Sequence, residues 1–120
     1  MKNNILITGG SGFLGKKLTE ILKKDKNNNV ISISSKDVDL RYYESFRHIP
    51  NVKFSKIYHL ATWTQAGDFS LYHSGEQWVF NQLINSNILF WWHNKQQQSK
   101  FISIGTSCSY EEDGSLDEIN

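Results

Sequence analysis

Cysteine is nearly absent from this sequence. Cys108 is the single one among 120 residues, so no internal disulfide can form and a cysteine-rich zinc module is excluded. Proline is equally scarce, with Pro50 alone. No apolar run approaches the roughly 20 residues that span a bilayer. The first such run, Ile5-Leu6-Ile7, passes straight into Thr8-Gly9-Gly10 and lacks the cleavage site of a secretory leader. A cytoplasmic protein with no membrane partner is therefore expected. Charge of one sign is missing too: 13 Lys and Arg against 12 Asp and Glu leave a net +1. A dedicated nucleic-acid binder carries a marked basic excess, so no such partner is expected. His48, His59, His73 and His93 lack the paired spacing of a metal site, and no metal is expected.

What remains fits one α/β domain over residues 1–120. The hydrophobic share of 38% and a mean hydropathy of −0.50 suit a globular chain rather than a disordered tail. Charge is unevenly spread. No Lys or Arg follows Lys100, and the end carries Glu111, Glu112, Asp113, Asp117 and Glu118. Both regions read as solvated surface.

Ile5-Leu6-Ile7-Thr8 reads as a buried parallel strand. From about Gly12 the spacing becomes helical, with Phe13, Leu14, Leu18, Ile21 and Leu22 on one face. Asp25 to Asn29 makes a turn. Val30 to Ser34 is a second strand, and Asp37 to Leu40 is either a short third strand or an extended turn. A brief helix from Tyr42 to Arg47, with Tyr43 and Phe46 inward, ends before Pro50. Lys56 to Ala61 is a further strand. Thr62 to Gly75 shows no period and is long for a connection, which favours a functional loop. A helix from about Glu76 to His93 presents Val79, Leu83, Ile84, Ile88, Trp91 and Trp92, and Phe101 to Ile104 is the last strand. Strands alternating with helices imply right-handed crossovers and a parallel sheet covered on both faces.

The sharpest local signal is the turn Gly9, Gly10, Ser11, Gly12, Phe13, Leu14, Gly15. It contains GxGxxG as Gly10, Gly12 and Gly15, after a predicted strand and at the start of an amphipathic helix. Residues without side chains permit a tight turn and let a pyrophosphate reach the backbone. The helix N-terminus supplies unpaired N–H groups and partial positive charge. The same residues satisfy GxxxxGK, but Lys17 stands where a P-loop needs Ser or Thr for Mg²⁺. A dinucleotide is the preferred ligand.

Taken together with later segments, the turn resembles the TGxxGxxG signature of the extended short-chain dehydrogenase/reductases, the NAD(P)-dependent nucleotide-sugar epimerases, dehydratases and reductases. Asp39-Leu40 resembles that family's adenine-contacting pair. His59-Leu60-Ala61-Thr62 resembles its HLAA segment beside the cofactor, and Asn81 its helix asparagine. Gly105-Thr106-Ser107-Cys108-Ser109-Tyr110 resembles the strand-five motif with the catalytic hydroxyl, in the form typical of the GDP-L-fucose synthase subfamily. Leu116-Asp117-Glu118 resembles the acidic segment beyond it.

The resemblance implies a Rossmann-type three-layer fold with about five parallel strands in the order 3-2-1-4-5, cut before the substrate-binding region. It implies a nucleotide-sugar substrate, Thr106 as the catalytic hydroxyl, and Ser107 and Cys108 beside Thr106 at the substrate. A homodimer follows from the same comparison. One departure is large: no Tyr-x-x-x-Lys pair occurs in the 120 residues. The chain is thus expected to be the N-terminal part of a larger enzyme; the alternative is a non-catalytic dinucleotide-binding module or an inactive fragment.

Cofactor choice hangs on the end of the second strand. Ser34, Ser35 and Lys36 stand where an NAD-specific protein places a carboxylate, which favours NADP over NAD. Asp37 restores NAD if the strand ends later. Leu60, Ala61 and Thr62 complete the expected cofactor contacts. His59, on a buried strand, reads as a hydrogen-bonded core histidine, and Asn81 as either a cofactor-site group that orients water or backbone or the polar face of its helix.

Overall fold

The computed structural model describes residues 2–63 and 74–103. Within them, Asn3–Thr8 forms β1, Phe13–Lys23 α1, Asn28–Ile33 β2, Lys56–His59 β3, Ser74–Lys95 α2 and Lys100–Ser103 β4. A 3₁₀ helix, Tyr43–His48, lies between β2 and β3. The strands form one sheet in the order β2-β1-β3-β4, every pair parallel. The chain leaves β1 to one side for β2, then crosses back to the other side for β3. That reversal is the topological switch point at which open α/β sheets bind ligands.

The parallel α/β architecture is the expected one, with one strand fewer. Asp37 to Leu40 is a turn, so the order 3-2-1-4-5 loses its first member. Local hydrogen bonds account for this. Ser34 O accepts from the N–H of both Asp37 and Val38 at 3.0 Å, and the Asp37 carboxylate accepts from Ser34 N at 2.9 Å. Groups consumed in a turn are unavailable to a strand ladder. Val38 and Leu40 still reach the core from that turn. Of the expected last strand, Ile104 lies outside the described residues.

The two faces of the sheet are unequal. Leu6, Ile31, Ile57 and Phe101 are register partners and therefore share one face. Against them pack Ile84, Ile88 and Trp91 of α2, together with Phe46, Ile49 and Phe54. Leu6, Ile57 and Ile88 are fully buried, each contributing about 1.5–3 kcal/mol by leaving water. The opposite face carries Ile5 and Ile7, covered by α1, while Tyr58 and Ile102 on it stay half-buried. In α1 Gly15 alone is buried; Phe13, Leu14 and Ile21 of the expected stripe are exposed. In α2 the expected Val79 and Leu83 also face outward, with Trp78, Leu89 and Phe90. Tyr43, expected inward, is exposed and stacks on Phe46. Among the described residues no helix is long and apolar enough to cross a membrane.

A polar latch closes the end of the core remote from the strand C-termini. Gln96 is buried. Its Oε1 accepts from Phe54 N at 2.9 Å and its Nε2 donates to Val52 O at 2.8 Å. Ser99 Oγ donates to both Phe54 O and Gln96 Oε1. Gln96→Leu strands a buried N–H and is expected to lower the unfolding free energy by about 2 kcal/mol. Urea titration of both chains checks it; an unchanged midpoint would show that the latch holds nothing.

Candidate functional site

The site is built from the C-terminal ends of three strands. Thr8 ends β1, and the chain turns at once through Gly9, at φ +69°. A Cβ on Gly9 would lie 2.9 Å from the Ala61 backbone nitrogen, so the left-handed conformation and the lack of a side chain are both needed there. The turn then opens α1, whose first helical bond runs from Lys16 N to Gly12 O at 2.9 Å. The N–H groups of the preceding residues have no intrahelical acceptor. No side chain caps this end, and no acidic residue occupies the first turn. The helix end therefore keeps its partial positive charge for an incoming anion.

Above this turn lies a cleft of about 510 Å³. Of the residues expected at a cofactor, Gly9, Ser11, Gly12, Ser34, Ser35, Asp39, Leu40, Leu60, Ala61 and Thr62 all line it. The others are placed differently. Gly10 and Gly15 are buried beneath the turn. Phe13 and Leu14 project their side chains into solvent and offer the turn only backbone N–H. Lys36 is exposed, and its N–H bonds Ser34 Oγ. Asn81 is a brace: its Oδ1 accepts from Trp63 N at 2.7 Å and its Nδ2 donates to Trp63 O at 2.9 Å. It steadies the cleft wall from behind. Thr106, Ser107 and Cys108 lie outside the described residues.

Arg41 is a lining residue that the sequence reading missed. Its Nε donates to Asp39 Oδ1 at 3.0 Å and its Nη2 to Asp39 Oδ2 at 2.7 Å, a two-pronged pair. The guanidinium carbon sits 4.8 Å from the Phe80 ring centroid and 5.3 Å from that of Tyr42. The hydrogen bond from Arg41 holds the Asp39 carboxyl below its ordinary value. Two residues after an acid in a turn, an arginine can fold back onto it; that spacing was the available signal. Thr8, Trp63 and Ile84 also line the cleft.

Below the cleft a polar chain runs from the buried Thr8 and His59 to the exposed Asn85. His59 Nδ1 lies 2.8 Å from Thr8 Oγ1, and His59 Nε2 lies 2.9 Å from Asn85 Oδ1. His59 is thus the hydrogen-bonded core histidine expected from the sequence. Burial pushes its imidazole below the ordinary value of 6.5.

Known proteins resemble this chain in sequence and in fold. The chain is 34% identical over 91 residues to the GDP-L-fucose synthase of Dictyostelium discoideum, which covers 73% of this chain and 28% of that protein. A GDP-L-fucose synthetase from Naegleria fowleri bound to NADP superposes with a TM-score of 0.76 at 27% identity, over 92% of this chain and 36% of that one. A dTDP-4-dehydrorhamnose reductase from Yersinia enterocolitica gives 0.76 at 28% identity, over 96% of this chain and 39% of that one. The chain therefore spans about a third of the length of these relatives. The model of the NAD dependent epimerase/dehydratase family matches residues 5–120, and the chain belongs to that family.

Proposed function

We propose that this chain is the NADP-binding portion of an enzyme that reduces or epimerises a nucleotide-linked sugar. The observation that carries the reading is the bare glycine turn facing the cleft. A Cβ at Gly12 would touch only Gly9 O, at 3.5 Å. Nothing in the fold itself demands glycine there, whereas a diphosphate lying on the backbone does. The residues present fit such a group: uncapped amides for the diphosphate, Asp39 and Leu40 for the adenine, Leu60 to Thr62 as the opposite wall.

Three features favour NADP over NAD. Ser34 and Ser35 line the β2 end of the cleft. The Asp37 carboxylate is turned back on Ser34 and does not line the cleft. The acid that does line it, Asp39, is already matched by Arg41. A 2′-phosphate would thus meet the Ser35 hydroxyl and a neutralised Asp39–Arg41 pair rather than an unpaired carboxylate. When bound, the nicotinamide supplies hydride chemistry. In this reading Thr106 hydrogen-bonds the reacting sugar oxygen, with Ser107 and Cys108 beside it. The relatives named above for GDP-L-fucose and dTDP-4-dehydrorhamnose support a nucleotide-linked sugar as substrate.

A homodimer has a place in the same reading, on the outward side of α2, where Trp78, Leu83 and Phe90 are exposed. Titration of the chain with NADP⁺ and with NAD⁺ tests the central proposal. NADP⁺ is expected to bind about tenfold more tightly, the worth of one charge-assisted hydrogen bond. Tighter binding of NAD⁺ would overturn the preference, and binding of neither would overturn the function.

A further inference from the structure

We infer that His59 is a positioning residue for the cleft, held as the neutral tautomer with its proton on Nε2, so that the bare Nδ1 accepts a hydrogen bond from the Thr8 hydroxyl and leaves the lone pairs of Thr8 Oγ1 free to accept from the Leu60 and Ala61 amides. The tautomer follows from counting protons. Leu60 N and Ala61 N lie 3.0 and 3.1 Å from Thr8 Oγ1. A hydroxyl oxygen has two lone pairs and one proton. With both lone pairs engaged, its proton must be donated, and the remaining neighbour is His59 Nδ1 at 2.8 Å. Nδ1 is then the acceptor. Nε2 carries the ring proton and donates it to Asn85 Oδ1 at 2.9 Å. Each donor and acceptor named here, spread over five residues, has its complement.

The opposite tautomer breaks the count. A proton on Nδ1 would make Thr8 Oγ1 face three donors with two lone pairs, while the exposed Asn85 would have to turn its amide to offer Nδ2 to the bare Nε2. One amide would be released. Leu60 N also reaches Thr8 O, at 3.3 Å, so Ala61 is the amide that depends on the hydroxyl. Ala61 N is the atom against which Gly9 is packed, at the base of the cleft. The link from His59 to cofactor affinity rests on the function proposed above; the tautomer and its hold on Ala61 do not.

The surroundings keep the ring neutral. Thr8 of β1, Phe101 of β4 and Asn85 of α2 pack against it, and none of them carries a charge. Because burial lowers the folded-state value, the unfolded chain takes up a proton as pH falls through 6.5 while the folded chain does not. Stability is therefore complete above that pH and declines below it.

Nitrogen-15 spectra of the full chain read the tautomer directly, and amide exchange reads the positioning. At neutral pH Nε2 is expected to be protonated and Nδ1 bare. Thr8→Val and His59→Leu should speed Ala61 exchange about tenfold, more than Leu60 exchange, with NADP⁺ affinity falling by a similar factor. Thr8→Ser and His59→Asn, which keep the hydroxyl and an acceptor at the Nδ1 position, should restore both readouts. His59→Asn should also remove part of the stability loss between about pH 7.5 and about pH 5.5. A ring protonated on Nδ1, or charged at neutral pH, overturns the inference. So does unchanged Ala61 exchange in Thr8→Val while Leu6 and Ile57 stay protected. Should the unaltered chain fail to bind NADP⁺, the proposed function falls, while the ring and Ala61 readouts still decide this inference.

Discussion

Gly15→Ala will cost the chain its native fold or most of its stability. A Cβ on Gly15 would stand 2.2 Å from Gly9 O, 2.8 Å from Gly10 Cα and 2.9 Å from Gly9 C. All three are backbone atoms, so no rotamer change relieves the overlap. Either α1 lifts away from β1 and β2, or the turn that Gly9 makes at φ +69° is remade. Alanine is the better helix former by roughly 1 kcal/mol, and that gain is small beside the strain. Overpacking against yielding side chains costs about 1–3 kcal/mol, and rigid backbone yields less. We expect a loss of roughly 3 kcal/mol or more, a large share of a small domain's stability. Thermal melts followed by circular dichroism check it, and a midpoint within a degree or two of the parent would show that the turn is softer than described.

Gly12→Val is expected to do the reverse: keep the fold and lose the ligand. Gly12 has φ −75° and ψ 172°, an extended backbone open to any residue. Its Cβ would make an ordinary contact at 3.5 Å. The valine methyl groups would instead occupy the floor of the cleft, where a diphosphate has to approach the backbone. We expect NADP⁺ affinity to drop about a hundredfold or more, equivalent to about 2.7 kcal/mol, with the melting temperature nearly unchanged. Retained binding would detach the glycine turn from the cofactor. The two variants, three residues apart, thus separate what the turn does for the fold from what it does for the ligand.

The turn and the parallel order were legible in the sequence because both depend on local pattern. Glycines at fixed offsets after Ile5-Leu6-Ile7-Thr8 permit few backbone paths, and alternating strands and helices permit few topologies. Burial was less legible. Periodicity says which residues of α1 share a side, but not what lies opposite, and Phe13 and Ile21 proved exposed. Val79 and Leu83 failed for a related reason. α2 is apolar on two sides, so its pattern does not single out the side bearing Ile84, Ile88 and Trp91. Asp37 to Leu40 was ambiguous because a side-chain bond from Asp37 to Ser34 decided between strand and turn. Asn81 was expected to orient water or backbone or to sit on a polar helix face, and the backbone it orients is that of Trp63. The chain from Thr8 through His59 to Asn85 joins positions 51 and 26 residues apart, which no local pattern records.

The place of β1 in the middle of the sheet has a consequence for biosynthesis. Its partner on one side is 25 residues further along the chain and its partner on the other is 51. As the polypeptide leaves the ribosome, β1, α1 and β2 can assemble first, with one flank of β1 still bare. At translation speeds of about 5–20 residues per second, that flank waits roughly 3–10 seconds for β3 to emerge. Leu6 and Ile7, the most water-averse part of the nascent chain, are the residues that a ribosome-associated chaperone would find during the wait.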